Sequence, residues 1–317
     1  MSWNNMNYNT PILIIVFNRP KETRQLISRL SELKPKRLYV ACDGPRGARE
    51  GEQARVEEVR SLFENLSWDC EVVSLYRADN KGCKYGVAGA IDWFFSMVPE
   101  GIILEDDVIP SISFFRFCDE MLDRYRDEKR IFHIAGSNFL KESLFKNNDS
   151  YSFGGIYGSV WGWATWADRW AGFDVEISEY SGKRDDPEFQ NSYGEKELMR
   201  HKIEELDFVV NGLDTWDFQL NFARFLKLGL TIFPRKNLIR NIGFSADATH
   251  TKTRNDSRSM LVENQLDFPL VHPNIIERNA RLEKVFYDQY VSKALVRRGY
   301  RKLRSIFLRI INRLILS

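Results

Sequence analysis

Gly101–Phe115 reads GIILEDDVIPSISFF, an apolar β-branched run that passes without a break into three consecutive acids. Gly101–Leu104 has the character of a strand buried on both faces, so Glu105-Asp106-Asp107 falls at a strand's carboxyl end. The same rhythm repeats outward from this point. Pro11–Phe17 (PILIIVF), Arg37–Cys42 (RLYVAC) and Cys70–Tyr76 (CEVVSLY) precede it, and Ile131–Ala135 follows. Helix-periodic stretches lie between these runs, one marked by Val56, Val59, Leu62, Phe63 and Leu66, another by Phe114, Phe117, Cys118 and Met121. Asn18 ahead of Pro20 reads as a helix cap followed by a first-turn proline. Strict alternation of strand and helix predicts an α/β fold, a mainly parallel sheet flanked by helices on both faces. After about Asn147 the rhythm changes. Tyr151–Trp170 is dense in glycine and tryptophan, with Trp163, Trp166 and Trp170 at helical spacing. Glu179–Leu206 and Asp214–Leu228 predict further helices.

The 317 residues are 43% apolar and 28% charged, which excludes collagen-like, wholly disordered and polytopic membrane classes. Cys42, Cys70, Cys83 and Cys118 form no C-x-x-C pair, which argues against a zinc ribbon or disulfide scaffold and for a reducing compartment. The start of the chain, MSWNNMNYNT, lacks the apolar run of a signal peptide, and no 18-residue apolar span follows. The net charge of +2 conceals an asymmetry: Lys293–Ser317 carries eight basic residues and no acid, leaving the rest of the chain at −6. An acidic body with a cationic tail argues against general nucleic-acid binding by the fold and points to an anionic partner for the tail alone.

Three adjacent carboxylates at the end of a parallel strand sit where doubly wound sheets bind ligands. They repel one another unless a cation or ample water compensates. Hard oxygen donors completed by a diphosphate suit Mn²⁺ or Mg²⁺. The bland alternative is a solvated turn that caps the next helix, and the spacing alone fits a phosphatase or nucleotidyltransferase nearly as well.

Taken with its neighbours, the acidic segment resembles the GT-A fold glycosyltransferases, in particular the N-acetylglucosaminyltransferase I type. The resemblance spans Pro11 to His250. It rests on the opening strand with Asn18-Arg19, on Cys42-Asp43-Gly44, on GIILEDDVIPSISFF, on GSVWGWATWADRW (158–170) and on TWDFQ (215–219), in that order. It implies a Rossmann-like GT-A domain over residues 11–275, after a disordered 1–10 and before a basic helical tail, 276–317. It also implies metal-dependent, inverting transfer from a nucleotide-diphosphate sugar, a UDP-sugar above all, to a glycan or lipid-linked acceptor.

Residue by residue, the resemblance places the metal on Asp107 and the ribose and metal-bound water on Glu105 and Asp106. It places the nucleotide near Arg19 and Asp43, although Arg19 also reads as a surface cation and Asp43 as a plain Asp-Gly turn residue. Lys84 either offsets phosphate charge or is an ordinary exposed lysine. The general base follows a tryptophan, which selects Asp217 after Trp216. Asp214 competes for the role or serves as the helix N-cap. Phe218 departs from the family, which has a second acid there. Trp161 is the tryptophan best placed to stack on a sugar, with core packing as the alternative. Gly243–His250 reads as a small-residue loop near the donor, with Ser245 on the donor and His250 on the metal or diphosphate. His133, inside a strand, reads as core.

In the tail Leu303, Ile306, Phe307, Ile310, Ile311 and Leu314 recur at helical spacing among basic residues, the pattern of a helix lying in an anionic membrane interface. Docking on a protein surface is the alternative. The expectation is a cytoplasmic enzyme of bacterial type, peripheral on the inner face of the membrane, acting in surface polysaccharide synthesis. A sugar-phosphate nucleotidyltransferase is the rival enzyme, weakened because the first strand opens into NRPKE and not a glycine-rich loop. The rival from another class is a non-catalytic, membrane-docked carbohydrate-binding or assembly protein.

Overall fold

Ile12, Leu13 and Ile14 are wholly buried in succession, which only a strand covered on both faces achieves. The computed structural model describes residues 8–47, 49–145, 148–244 and 260–292 and places this strand, β1 (Ile12–Val16), at the centre of the sheet. The chain continues through α1 (Pro20–Leu33), β2 (Arg37–Cys42), α2 (Glu52–Ser61), β3 (Glu71–Tyr76), α3 (Gly82–Phe95) and β4 (Glu100–Glu105). Next come β5 (Val108–Pro110), α4 (Ile112–Arg124), β6 (Ile131–Ala135), β7 (Tyr151–Gly154), β8 (Trp163–Trp166) and α5 (Ala167–Trp170). The remainder is α6 (Tyr180–Lys183), α7 (Pro187–Gln190), α8 (Lys196–Val210), α9 (Asp217–Leu226), β9 (Leu230–Pro234), β10 (Ile239–Asn241) and α10 (Ala280–Phe286).

Eight strands form one sheet in the order β3-β2-β1-β4-β8-β6-β9-β7, with β8 and β7 antiparallel to their neighbours and the rest parallel. This is the expected α/β architecture. Strand order reverses between β1 and β4, the topological switch point beyond whose carboxyl ends open sheets bind ligands. The core lies in two layers. Leu26, Leu30, Phe114, Phe117 and Trp166 pack on one face, while Ile91, Phe94, Trp163, Trp170 and Trp216 pack on the other. A third cluster joins α8, α9 and the C-terminal segment through Met199, Phe222, Phe225 and Tyr287.

Three local readings are corrected. The helical spacing of Trp163 and Trp166 belongs to a strand, and its period of two sends the two rings to opposite faces of the sheet. The single helix expected over 179–206 is three, because Pro187 opens a new one and Tyr193 takes a left-handed φ of 62°. Asn18 does not cap α1. Arg19 holds that position without a side-chain cap bond, and the Asn18 amide donates to Glu52 instead.

Residues 276–292, assigned to the tail on sequence, are packed into the domain as far as 292. Leu282 is fully buried, and Glu283, 3% exposed, accepts from the backbone N–H of Ile156 (2.7 Å) and of Tyr157 (2.8 Å) while pairing with Arg278. Removing one partner of such a buried pair costs roughly 3–5 kcal/mol. Glu283→Ala is therefore expected to lower the unfolding free energy in urea by that amount. A loss under about 1 kcal/mol would show that α10 is only loosely held. Residues 293–317, which carry the amphipathic basic pattern, lie outside the described residues. No helix among the described residues is long and apolar enough to cross a membrane, and all four cysteines are free.

Candidate active site at the switch point

β4 ends at Glu105, and Asp106 turns the chain back towards β1, its N–H bonding Ile15 O at 3.1 Å. The turn is pinned from the other side by the β5–β10 ribbon, where Ile242 N–H donates to Asp107 O at 2.7 Å. Gly243 lies so close to Asp107 that a Cβ there would sit 2.1 Å from Oδ2, so this contact requires glycine.

One Arg19 amino group bridges two of the acids, 3.0 Å from Asp106 Oδ1 and 2.9 Å from Asp107 Oδ2. Asp106 also accepts from Phe17 N–H at 3.3 Å. A single guanidinium thus faces three carboxylates. Burial, and then repulsion from Asp107, Asp106 and Asp217, push the Glu105 carboxyl above its ordinary range. Burial raises Asp106 and Asp107 as well, against the pull of Arg19. The cluster has room in its charge balance for a further cation. Among the described residues no group of three His, Cys, Asp or Glu side chains closes into a metal cage, so an ion here would take its other ligands from a bound anion or water.

A cleft of about 880 Å³ opens over the carboxyl ends of β1 and β2 and the start of α3. Glu105 and Asp106 line one part of it, and Lys21, Arg46, Arg49, Arg55 and Arg77 contribute cations to its wall. Diphosphates are recognised by this pairing of basic side chains with a carboxylate-held cation. Arg19 and Asp43 both line the cleft. Asp43 Oδ2 accepts from the N–H groups of Lys81 (2.7 Å) and Gly82 (3.2 Å) ahead of α3, while Arg77 stands 3.7 Å from Oδ1. Burial raises the Asp43 carboxyl pKa, against these bonds.

Asp214 caps a helix, but not its own. It accepts from Cys83 N–H (3.2 Å) and Lys84 N–H (2.7 Å), in the first turn of α3. Asp217 is the first residue of α9, half-buried, with its Oδ1 taking a hydrogen bond from the Thr215 hydroxyl. Its position follows from Trp216, which stacks on Trp163 of β8 at 5.8 Å between ring centroids. Burial, then the nearby Glu205 charge, raise the Asp217 pKa, against the Thr215 hydrogen bond and, more weakly, Lys202. Burial, and then the charges of Glu105, Asp214 and Asp217, push the Cys83 thiol pKa up and hold it protonated.

Lys84 and Trp161, like Asp107 and Asp217, do not line the cleft itself. The Lys84 ammonium pairs with Glu176 at 2.7 Å and does not line the cleft. Trp161 meets Phe139 (5.3 Å) and Phe244 (5.7 Å) edge-on. Ser245 and His250 fall outside the described residues. His133 is core, 1% exposed, edge-on to Trp163 and pushed well below its usual pKa by burial.

Sequence reasoning missed Glu52. Fully buried at the start of α2, it binds Arg46 N–H (2.7 Å), the Arg46 guanidinium and the Asn18 amide (2.8 Å), tying together two loops of the cleft. Its only sequence signal is an acid in a helix's first turn. These bonds, led by that of the Arg46 side chain, hold its pKa down from 4.5 to about 2. A depressed acid contributes stability that is present above its unfolded pKa and is lost as pH falls through the folded one. The stability gap between the native chain and Glu52→Gln is therefore expected to close between pH 4.5 and about 2. Thermal melts across that range check it, and a gap independent of pH would contradict it.

No family model and no curated protein matches the chain. Solved structures similar to it include mouse xyloside xylosyltransferase 1 in its apo form, at 12% identity and TM-score 0.35, covering 68% of this chain and 81% of that one. HddC from Yersinia pseudotuberculosis is similar at 10% identity and TM-score 0.32, over 50% and 77%. A UDP-glucose pyrophosphorylase complexed with UDP-glucose follows at 10% identity and TM-score 0.26, over 49% and 65%. At these scores the likenesses carry no statement of activity. The fold rests on the sheet order itself.

Proposed function

We propose that this chain is a metal-dependent, inverting glycosyltransferase that moves a sugar from a nucleotide-diphosphate sugar, a UDP-sugar, to a hydroxyl of a glycan or lipid-linked acceptor. The observation that carries this reading is the under-compensated carboxylate cluster at the end of β4, beside a cation-walled cleft at the switch point. In this reading Asp107, with the donor's diphosphate, holds Mn²⁺ or Mg²⁺, and Glu105 and Asp106 serve the ribose and metal-bound water. An ion held there would supply stabilisation for the charge that builds on a departing diphosphate. Arg19 fixes the carboxylates in place. Asp43 holds the α3 start that forms the nucleotide side of the cleft. Asp217 takes the acceptor's proton, and its raised pKa suits a base.

The setting we assign is bacterial surface polysaccharide synthesis at the inner face of the membrane, with the basic segment 293–317 on anionic lipid. Calorimetric titration of a nucleotide-sugar panel with and without Mn²⁺, beside Asp107→Asn, tests the core of the proposal. Mn²⁺-dependent binding of UDP-sugars is expected, weakened at least tenfold in the variant. No nucleotide binding under either condition would sink it and favour the non-catalytic assembly protein. Release of pyrophosphate from a nucleoside triphosphate and a sugar phosphate would instead establish the nucleotidyltransferase.

A further inference from the structure

Ile103 of β4 and Ala135 of β6 both pair with Trp163 of the intervening β8. Two residues further along each strand direction stand Glu105 and Ser137. The two are therefore level at one edge of the sheet, two strand spacings or about 10 Å apart. At Ser137 this edge carries a second pocket, distinct from the donor cleft and walled by Phe139, Tyr157 and Phe286. The Tyr157 and Phe286 rings lie 4.8 Å apart and the Phe139 and Phe286 rings 5.9 Å apart. Ser137 and Ser159 add a hydroxyl pair, bonded to each other. The space inside, about 50 Å³, admits a group of a few heavy atoms and not a whole hexose.

We infer that this pocket is an acceptor subsite that receives the acetamido group of a sugar ring lying along the sheet edge towards Glu105. The inference rests on the glycosyltransferase reading. An acetamido group offers a methyl for the aromatic walls and an amide for the hydroxyls, the mixture that small polar-dotted apolar pockets select. Two physical links tie the pocket to the reaction centre. Phe139 meets Trp161, Trp161 meets Phe244, and neighbouring Gly243 rests on Asp107. On the other side, Lys202 Nζ stands 4.7 Å from the centre of the Tyr157 ring and belongs to α8, which packs against α9, the helix that Asp217 opens. From Ser137 the sheet edge leads to Glu105 over about 10 Å, the length of a disaccharide, so an acceptor anchored here by one ring brings its next sugar to that carboxylate.

Saturation-transfer NMR on the full chain, with methyl N-acetyl-β-glucosaminide and methyl β-glucoside as probes, tests this. The N-acetylated probe is expected to show transfer strongest at its acetyl methyl, and the plain glucoside to show little. Leu140→Trp plugs the rim from a partly exposed position without removing a side-chain hydrogen bond, and it should abolish the acetyl signal. Phe286→Ala, which removes one wall, should weaken it at least fivefold. UDP binding with Mn²⁺, measured on the same samples, should be unchanged in both variants. If UDP binds but the probe shows no acetyl transfer, or transfer survives Leu140→Trp, the subsite is refuted and the donor reading stands. If the probe binds as expected and UDP does not, the pocket binds acetamido sugars, but its role as an acceptor subsite falls with the donor reading.

Discussion

Asp217→Asn is expected to lower sugar transfer by about 10²–10⁴-fold, the usual contribution of a general base, with donor binding and thermal stability kept. Three observations support so large an effect. The carboxylate opens α9, where the helix's exposed N–H groups favour an anion, and the Thr215 hydroxyl orients one oxygen. Its other oxygen has no side-chain donor among the described residues and is free to accept a proton. Burial moves its pKa up towards working pH, which strengthens it as a base. Stability is expected to hold because the amide removes a charge that burial already disfavours. Asp214→Asn is the matched control. Both Asp214 oxygens are occupied by N–H groups of α3, so its loss should cost about 1 kcal/mol of stability as a lost cap and reduce transfer much less. Steady-state rates and melts of the two variants decide the matter. Equal loss of transfer in both, or a larger loss in Asp214→Asn, would reassign the base.

The parallel half of the sheet was legible in the sequence because its strands are buried on both faces. Uninterrupted runs such as ILIIV and GIIL cannot be amphipathic helices, and their ends were read to within a residue or two. The antiparallel insertion was not legible. Trp163, Trp166 and Trp170 are spaced three and four apart because a four-residue strand runs directly into a one-turn helix, and a composition of tryptophans cannot separate that from a longer helix. The acids of the site could be read because they are contiguous. Their partners could not. Arg19 meets Asp106 only because β1 and β4 are neighbours across 87 residues of sequence, and Asp214 caps a helix 130 residues upstream. Pairings of that kind belong to the topology, and local pattern carries no trace of them.

Arg19 has the second large expected effect. Its amino group is the only cation paired with Asp106 and Asp107 among the described residues, and its side chain is 23% exposed. Arg19→Met preserves most of the aliphatic stem and removes the charge, leaving three neighbouring carboxylates with no counter-ion. Breaking a largely buried pair from one side is expected to cost about 3 kcal/mol in metal-free buffer. Under the proposed function a divalent ion occupies the same negative field, so Mn²⁺ should restore much of that stability in the variant while changing the native chain less. Mn²⁺ titrations followed by thermal melting measure both responses. The double variant Arg19→Met/Asp107→Asn supplies the coupling: with one carboxylate neutralised, the cost of losing Arg19 should shrink by at least 1 kcal/mol, as expected for groups in direct contact. Additive losses, or an identical Mn²⁺ response in native and variant chains, would mean that the guanidinium and the metal do not share a site. The acidic triplet would then need a role other than holding the donor's diphosphate.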